Sequence, residues 1–354
     1  MNKFRVLHTG DLHLDSPVLA LGKLADLRRQ EYLDTFARII DLTKTESVDA
    51  LVIAGDFFDC ANIISDSTLN FVVRKFNEIP NIPVFIALGN HDAGLSASFP
   101  ENVHIFDSEI QKIELSDAVD IYGISFAYEY CDTCNIDGFT VQNPSKINIL
   151  IAHGEVLGNG QTSRYNMITP SVIASSGADY LALGHIHQYS GIKTVNGTHY
   201  AYCGIPEGRG FDELGVRGVI IADVYKNHVD TQFIATCKRQ YIELAIDITS
   251  CNDYDEICSK ITGSAIGQEH LYKIILTGET TLYLNTSIII EKVKDSYYFI
   301  KIIDETKPKI DIDFLLKEYS LKGLFVKNLF DENGSNDALK YGLAALGGEK
   351  VTFE

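Results

Sequence analysis

The sequence predicts an α/β fold, two packed sheets with helices outside them, followed by a small α+β domain. Three observations carry this reading. Strand-like and helix-like runs alternate from residue 4 to about residue 235. Five short aliphatic runs in that stretch read as buried strands, and each leads into side chains bearing oxygen or nitrogen donors. Beyond about residue 240 the runs form a small mixed set with no such donor block.

Taken in order, the first strand is Phe4 to Leu7, entered directly from Met1-Asn2-Lys3. Leu24 to Thr45 places Leu24, Leu27, Tyr32, Phe36, Ile39 and Ile40 at helical spacing. Ala50 to Ala54 is the second strand. Ser65 to Glu78 reads as a helix, with Asp66 or Ser67 as its N-cap and Pro80 as its stop. Strands follow at Pro83 to Leu88, Ile147 to Ile151 and Tyr180 to Leu183, the last after a short helix at Ser171 to Ser176. Further strands run over Gly191 to Val195, His199 to Cys203, Gly218 to Tyr225 and Val229 to Ile234. Asn196-Gly197 and Lys226-Asn227 are their hairpin signals. The first domain is thus set at residues 1–237. The remainder, 238–354, has strands at Tyr241 to Ile248, Tyr272 to Leu276 and Tyr297 to Ile303. Its helices are Tyr254 to Ile261, Phe314 to Tyr319 and Ala338 to Leu346.

A length of 354 residues exceeds one ordinary core and agrees with two domains. Hydrophobic residues make up 45%, which excludes a disordered chain. No run of ~18 apolar residues reads as a membrane span. The opening residues lack the charged-then-apolar pattern of a signal segment, so a cytoplasmic protein is expected. The seven cysteines are expected as reduced thiols. Cys131-Asp132-Thr133-Cys134 has the spacing of a zinc or redox pair, but no second pair exists, and it reads as a plain loop. Net charge is −18, from 30 basic and 48 acidic residues. That argues against gripping nucleic acid through a broad basic face. It does not weigh against cleaving a phosphate ester, because two dications in a pocket would create a local positive spot.

The donor blocks are Asp11-Leu12-His13, Gly55-Asp56-Phe57-Phe58-Asp59, Gly89-Asn90-His91-Asp92, the lone His153, and Gly184-His185-Ile186-His187. Singly each has a bland reading as a turn, cap or core histidine. Together, each after a buried strand, they point to one site at the strand ends, where α/β sheets bind ligands. In an extended chain alternate residues share a face, so His185 and His187 can enter one cleft. Carboxylate, imidazole and amide donors without thiolate suit manganese, iron or zinc. Two such ions clamp an in-line displacement at phosphorus, and water between them loses a proton near neutral pH. Asp56 is the natural bridging carboxylate. His91, beside Asn90 and not needed as a ligand, is assigned general acid.

In this order, Asp-x-His, GDxxD, GNHD, a lone His and GHxH resemble the calcineurin-like metallophosphoesterases. The stretches His8-Thr9-Gly10-Asp11-Leu12-His13-Leu14-Asp15-Ser16-Pro17 and Cys203-Gly204-Ile205-Pro206-Glu207-Gly208-Arg209-Gly210-Phe211-Asp212-Glu213 resemble SbcD-type DNA repair exonucleases and their YhaO-like bacterial members. The resemblance covers residues 4 to about 235. It implies a calcineurin-like two-sheet β-sandwich flanked by helices, with a small α+β capping domain. It implies that Asp11, His13, Asp56 and His187 hold one ion, and Asp56, Asn90, His153 and His185 the other. His91 would be the family's catalytic histidine, and Asp59 would orient a ligand. The ions would usually be manganese, the substrate DNA, and the partners a second copy and an SbcC-like coiled-coil ATPase. Members that dock such an ATPase often use a helical segment beyond the cap. Leu315 to Leu324 and Ala338 to Leu346 could be a shortened form of it.

Arg164 in Ser163-Arg164-Tyr165-Asn166 could clamp a phosphate, and Tyr165 could stack on a base. Arg209 could also contact substrate, or tie down a turn through Glu213. His8 is expected behind the ligands, and Phe57-Phe58 in the core and site wall. Three functions compete: a metal-dependent DNA nuclease, a phosphodiesterase or phosphatase acting on nucleotides or other small esters, and a non-catalytic binding protein. A long groove lined by arginine or lysine would favour polynucleotide.

Overall fold

The computed structural model describes residues 3–158, 160–331 and 336–347. Met1 and Asn2, and residues 332–335 and 348–354 of the expected second domain, lie outside them. The chain forms two compact units. The first comprises Met1–Glu243, Glu269–Lys273 and Tyr297–Phe299, and the second Leu244–Gln268, Ile274–Ser296 and Ile300–Glu354.

The first unit begins with β1 (Phe4–Thr9), α1 (Ala25–Thr45), β2 (Ala50–Ala54), α2 (Asp66–Phe76) and β3 (Val84–Ala87). Three strands absent from the sequence reading follow: β4 (Val103–Ile105), β5 (Gln111–Ser116) and β6 (Val119–Gly123). Then come β7 (Ile147–His153), the short pair β8 (Glu155–Val156) and β9 (Met167–Ile168), α3 (Pro170–Ser176) and β10 (Tyr180–Gly184). β11 (Lys193–Val195), β12 (Thr198–Tyr202), β13 (Gly218–Tyr225) and β14 (His228–Ala235) complete it. One six-stranded sheet has the order β14-β13-β1-β2-β3-β4 and the other β11-β12-β10-β7-β6-β5. β1, β2 and β3 run parallel, as do β6, β7, β10 and β12.

Burial on both faces explains the near-continuous aliphatic runs. Between the sheets lie Val6, Val52, Ala54, Phe85 and Ala87 of one, against Ile121, Ile149, Ile151 and Ala182 of the other. The outer face of the first sheet, Leu7, Leu51, Ile53 and Ile86, packs on Tyr32, Phe36, Ile39 and Ile40 of α1 and on Val72 and Phe76 of α2. The outer face of the second, with Leu150, Leu181 and Leu183, packs on Ile173 of α3 and on Ile136, Val141 and Ile168. Each of the valines, leucines, isoleucines and phenylalanines contributes roughly 1.5–3 kcal/mol by leaving water.

Two details differ from the sequence reading. The N-cap of α2 is Ser65, whose hydroxyl accepts from the Thr68 amide at 3.3 Å, not Asp66 or Ser67. In α1 the apolar stripe starts at Tyr32. Leu27 is 47% exposed, whereas Arg28 is fully buried. Arg28 is held there by Glu31 (2.6 Å) and Glu207 (2.9 Å), the pairing that a buried guanidinium requires. Asn196 and Gly197 both have positive φ, as a two-residue hairpin demands.

The second unit contains most of a three-stranded sheet in the order β15 (Tyr241–Asp247), β16 (Leu271–Thr277), β18 (Phe299–Asp304), with β17 (Glu279–Thr280) and β19 (Lys307–Pro308) as a short pair. Its helices are α4 (Tyr254–Gly263), α5 (Thr286–Val293), α6 (Ile312–Lys317), α7 (Leu321–Asp331) and α8 (Asn336–Leu346). Ile246, Ile248, Ile257, Ile261, Ile274, Leu276, Ile289 and Val293 are among its buried residues. No helix among the described residues is long and apolar enough to cross a membrane.

Candidate metal centre

All five donor blocks lie at the C-terminal ends of parallel strands, β1, β2 and β3 in one sheet and β7 and β10 in the other. Beyond β1 and β2 the two chains zip together. The amides of Asp11, His13 and Leu14 donate to the carbonyls of Gly55, Asp56 and Phe57 at 2.9, 2.9 and 3.0 Å. Asp11, His13, Asp56 and His185 all sit at positive φ, a costly backbone state that functional loops hold against their surroundings. Three glycines of the donor blocks have no substitute, and at Gly184 a Cβ would lie 1.7 Å from the Ala54 carbonyl oxygen. A Cβ on Gly55 would lie 2.1 Å from His153 Nδ1, and one on Gly89 would lie 2.2 Å from Asp56 Oδ1.

Asp11, His13, Asp56 and His153 are buried. Their donor atoms gather with those of two further histidines into three overlapping groups: Asp11, His13 and His187; His13, Asp56 and His91; and Asp11, Asp56 and His153. Asp56 Oδ2 lies 3.7 Å from His13 Nε2 and 3.4 Å from His153 Nε2. Asn90 Oδ1 is 3.1 Å from His153 Nε2. The other Asp56 oxygen accepts the His91 amide at 2.9 Å. His185 offers its amide to Asp11 at 3.0 Å, and its ring stands 5.1 Å from that of His153.

The Nδ1 atoms fix the tautomers. His13 Nδ1 meets Asp59 at 3.1 Å, His187 Nδ1 meets Glu213 at 2.6 Å, and His153 Nδ1 meets the Ala54 carbonyl at 3.0 Å. A carboxylate and a carbonyl only accept, so each Nδ1 carries the hydrogen. In the neutral ring Nε2 then presents a lone pair. His13 and His187 point these at each other across 3.3 Å, and His153 points its own at two oxygens. Lone pairs so opposed repel unless a proton or a cation lies among them. Two nitrogens 3.3 Å apart can share one ion at the usual ~2.0–2.1 Å. The donor set therefore fits divalent cations.

Burial lowers His13 to about 4 and His185 to about 3, so both are neutral and ready as ligands. Burial also works against a charge on His153, but the nearby Asp56 carboxylate wins and raises it to about 9. Burial likewise opposes ionisation of Asp56, yet His153 foremost, with His13 and His91, holds it well below the usual carboxylate range. The His153 proton thus occupies the place that a cation would take, and metal binding would expel it.

Asp59 supports His13 and accepts from Arg209 Nη1 at 2.9 Å, while the Arg209 amide donates to Glu213 at 2.6 Å. Arg209 therefore braces the carboxylates behind His13 and His187. Arg164 is exposed, its guanidinium 3.9 Å over the Tyr130 ring and 3.6 Å from Asp132. Tyr165 stands 5.0 Å from the His185 ring. His8 Nδ1 meets the Tyr180 hydroxyl at 2.8 Å, and none of its hydrogen bonds joins the cluster. Phe57 and Phe58 are fully buried. The seven cysteines are free thiols.

Two residues escaped sequence reasoning. Glu213 was visible only as a partner for Arg209, and its place behind His187 depends on a contact 26 residues away. Asp92 is buried and accepts the amides of Gly89 (2.7 Å), Phe57 (2.7 Å) and Phe58 (3.3 Å), locking the loops after β2 and β3 together. Burial first, and the Asp56 charge second, push its carboxyl up to about 7. The GNHD block contains it, but no periodicity marks its role.

Comparison with known proteins agrees with this geometry. The chain is 29% identical over 266 residues to the "Uncharacterized metallophosphoesterase YhaO" of Bacillus subtilis, covering 70% of this chain and 64% of that one. It is 26% identical over 265 residues to a component of the SbcCD nuclease of the same organism, covering 62% and 66%. It is 25% identical over 285 residues to "DNA double-strand break repair protein Mre11" of Thermoplasma acidophilum, covering 72% and 71%. The matched part is slightly less than two thirds of each of the first two relatives. The family profile described as calcineurin-like phosphoesterase matches residues 4–189, more than half of the chain and the whole stretch bearing the donor blocks. With that match and the gathered carboxylates and imidazoles, the chain belongs to the calcineurin-like phosphoesterase family.

Proposed function

We propose that this protein is a metal-dependent phosphodiesterase that hydrolyses DNA, in the manner of an SbcD-like repair exonuclease. The observation that supports it most is the convergence of Asp11, His13, Asp56 and His153 at the strand ends of a chain similar to a nuclease component and a double-strand break repair protein. Asp11, His13, Asp56 and His187 would hold one cation, and Asp56, Asn90, His153 and His185 the other, with manganese the first ion to test and iron or zinc the alternatives. Bound there, the pair would supply Lewis acidity toward the phosphoryl oxygens and a hydroxide from water.

The chain's own residues do the rest. Glu213, Asp59 and the Ala54 carbonyl orient three imidazoles. His91 is exposed, and its Nδ1 donates to the Asp59 carbonyl at 3.0 Å. That carbonyl can only accept, so Nδ1 keeps its hydrogen and Nε2 is the nitrogen through which a proton would pass to the leaving oxygen. The capping domain, a DNA substrate, a second copy and a coiled-coil ATPase partner belong to the same reading.

One observation favours the second reading, a small nucleotide ester. A cleft of about 760 Å³ beside Asn90 and His91 has no lysine or arginine among the described residues that line it. The test is manganese-dependent digestion of single-stranded, blunt and hairpin oligonucleotides alongside cyclic nucleotides and an aryl phosphodiester. Release of nucleotides from the oligonucleotides supports the DNA reading. Turnover of the small esters alone overturns it in favour of the second.

A further inference from the structure

The wall of that cleft is aromatic. Tyr128, Tyr130 and Tyr165 line it with Asn90 and His91. Tyr128 is 79% exposed and Tyr130 40% exposed, a large apolar area to leave in water on one short loop. The rings are ordered toward the candidate metal ligands. The Arg164 guanidinium lies 3.9 Å over Tyr130, Tyr130 is 5.8 Å from Tyr165, Tyr165 is 5.0 Å from His185, and His185 is 5.1 Å from His153. The interplanar angle is 37° at both tyrosine steps. Backbone bonds hold the ladder in place: the Cys131 amide donates to the Arg164 carbonyl and the Asn166 amide to the Cys131 carbonyl, both at 2.8 Å. Asn166 in turn donates to the carbonyl of His153 at 2.7 Å. The aromatic loop is thus tied to the strand that carries a candidate ligand.

Charge decides what this wall can receive. Glu129 is exposed between the tyrosines and lines the cleft, and the Arg164 guanidinium is stacked on Tyr130 and faces Asp132. A second phosphate would be repelled here. A flat, neutral, polarisable group would not, since every base has a face that stacks on tyrosine. The volume is that of a ligand-sized cleft, within the usual range of roughly 300–1,000 Å³.

We infer that Tyr128, Tyr130 and Tyr165, braced by Arg164, form a nucleobase subsite that accepts an unpaired base of the nucleotide whose phosphate is cleaved. This rests on the phosphodiesterase reading and deepens it. It also changes the part expected of Arg164, from clamping a phosphate to backing an aromatic ring. A base paired and stacked within a duplex cannot reach such a wall, so the preferred substrate presents a free base, as a mononucleotide ester or as an unpaired strand.

The experiment uses the full chain with manganese and two esters releasing the same aryl alcohol: a thymidine 5′-phosphodiester and a base-free deoxyribose phosphodiester. The wild type is expected to show a lower KM for the thymidine ester. Tyr130→Ala and Tyr128→Ala are expected to shrink that preference by about tenfold each. A preference absent in the wild type, or unchanged in both variants, overturns the subsite. If neither ester is hydrolysed, the oligonucleotide digestion alone decides the phosphodiesterase reading. The subsite is then read from binding of a labelled thymidine oligonucleotide against an abasic one of equal charge. Tighter binding of the thymidine strand, lost in the Tyr128→Ala/Tyr130→Ala double variant, supports it, and equal binding overturns it.

Discussion

The two ends of the strand-end cluster are built differently. At one end His13 and His187 each rest Nδ1 on a carboxylate, Asp59 and Glu213, and Arg209 braces both. At the other, His153 rests Nδ1 on the Ala54 carbonyl, and its neighbour Asn90 is uncharged. A carboxylate behind an imidazole raises its basicity as well as orienting it, whereas a carbonyl mainly orients. The carboxylate-backed end should therefore bind its cation more tightly. Asp56 lies between His13 and His153 and belongs to both ends.

The largest effect should come from the residue that the ends share. Asp56→Asn is expected to lose both ions and to bring turnover down to background, measured as metal content after dialysis. One ion retained at full occupancy would confine Asp56 to a single end. His91→Ala is next. It should keep the metals and lose about 10²–10⁴-fold in kcat on substrates with poor leaving groups. An activated aryl ester, whose leaving group needs no proton, should be spared. Equal losses on both would remove the proton-donor role.

Glu213→Gln acts on the His187 end alone and should weaken that ion by roughly 10–100-fold while the other stays bound. Calorimetric titration of the metal-free protein would show two steps drawing together. If the step at the other end moves instead, the contrast is wrong. Asn90→Asp works from the opposite side. An added carboxylate at the His153 end should tighten its ion by about tenfold, the smallest of the four changes. A weaker ion would mean that geometry, not charge, sets affinity there.

The donor blocks were legible because each combines a buried run with polar residues that a buried strand does not otherwise carry. Val52 to Ala54 followed by Gly55-Asp56 is such a case. The same logic failed for β4 to β6. β4 is three half-buried residues, and β5, Gln111–Ser116, is broken by a register shift between Glu114 and Ser116. Ser65 and Asp66 are both good caps by type. Only backbone geometry chooses between them, with Ser65 extended and Asp66 already helical. Arg28 was hidden in a helix stripe because its partner Glu207 lies 179 residues away. Glu213 and Asp92 were hidden for the same reason, since their roles are contacts between loops and not patterns within one. The tyrosine wall was half legible: Tyr165 stood near His153 in sequence, but Tyr128 and Tyr130 reach the cleft only through the fold.

The most direct test is anomalous diffraction from a crystal soaked in manganese. The account predicts two peaks about 3.5–4 Å apart on either side of the Asp56 carboxylate, with His13 and His187 reaching one and His153 the other. A single peak, or peaks out of reach of Asp56, would contradict it.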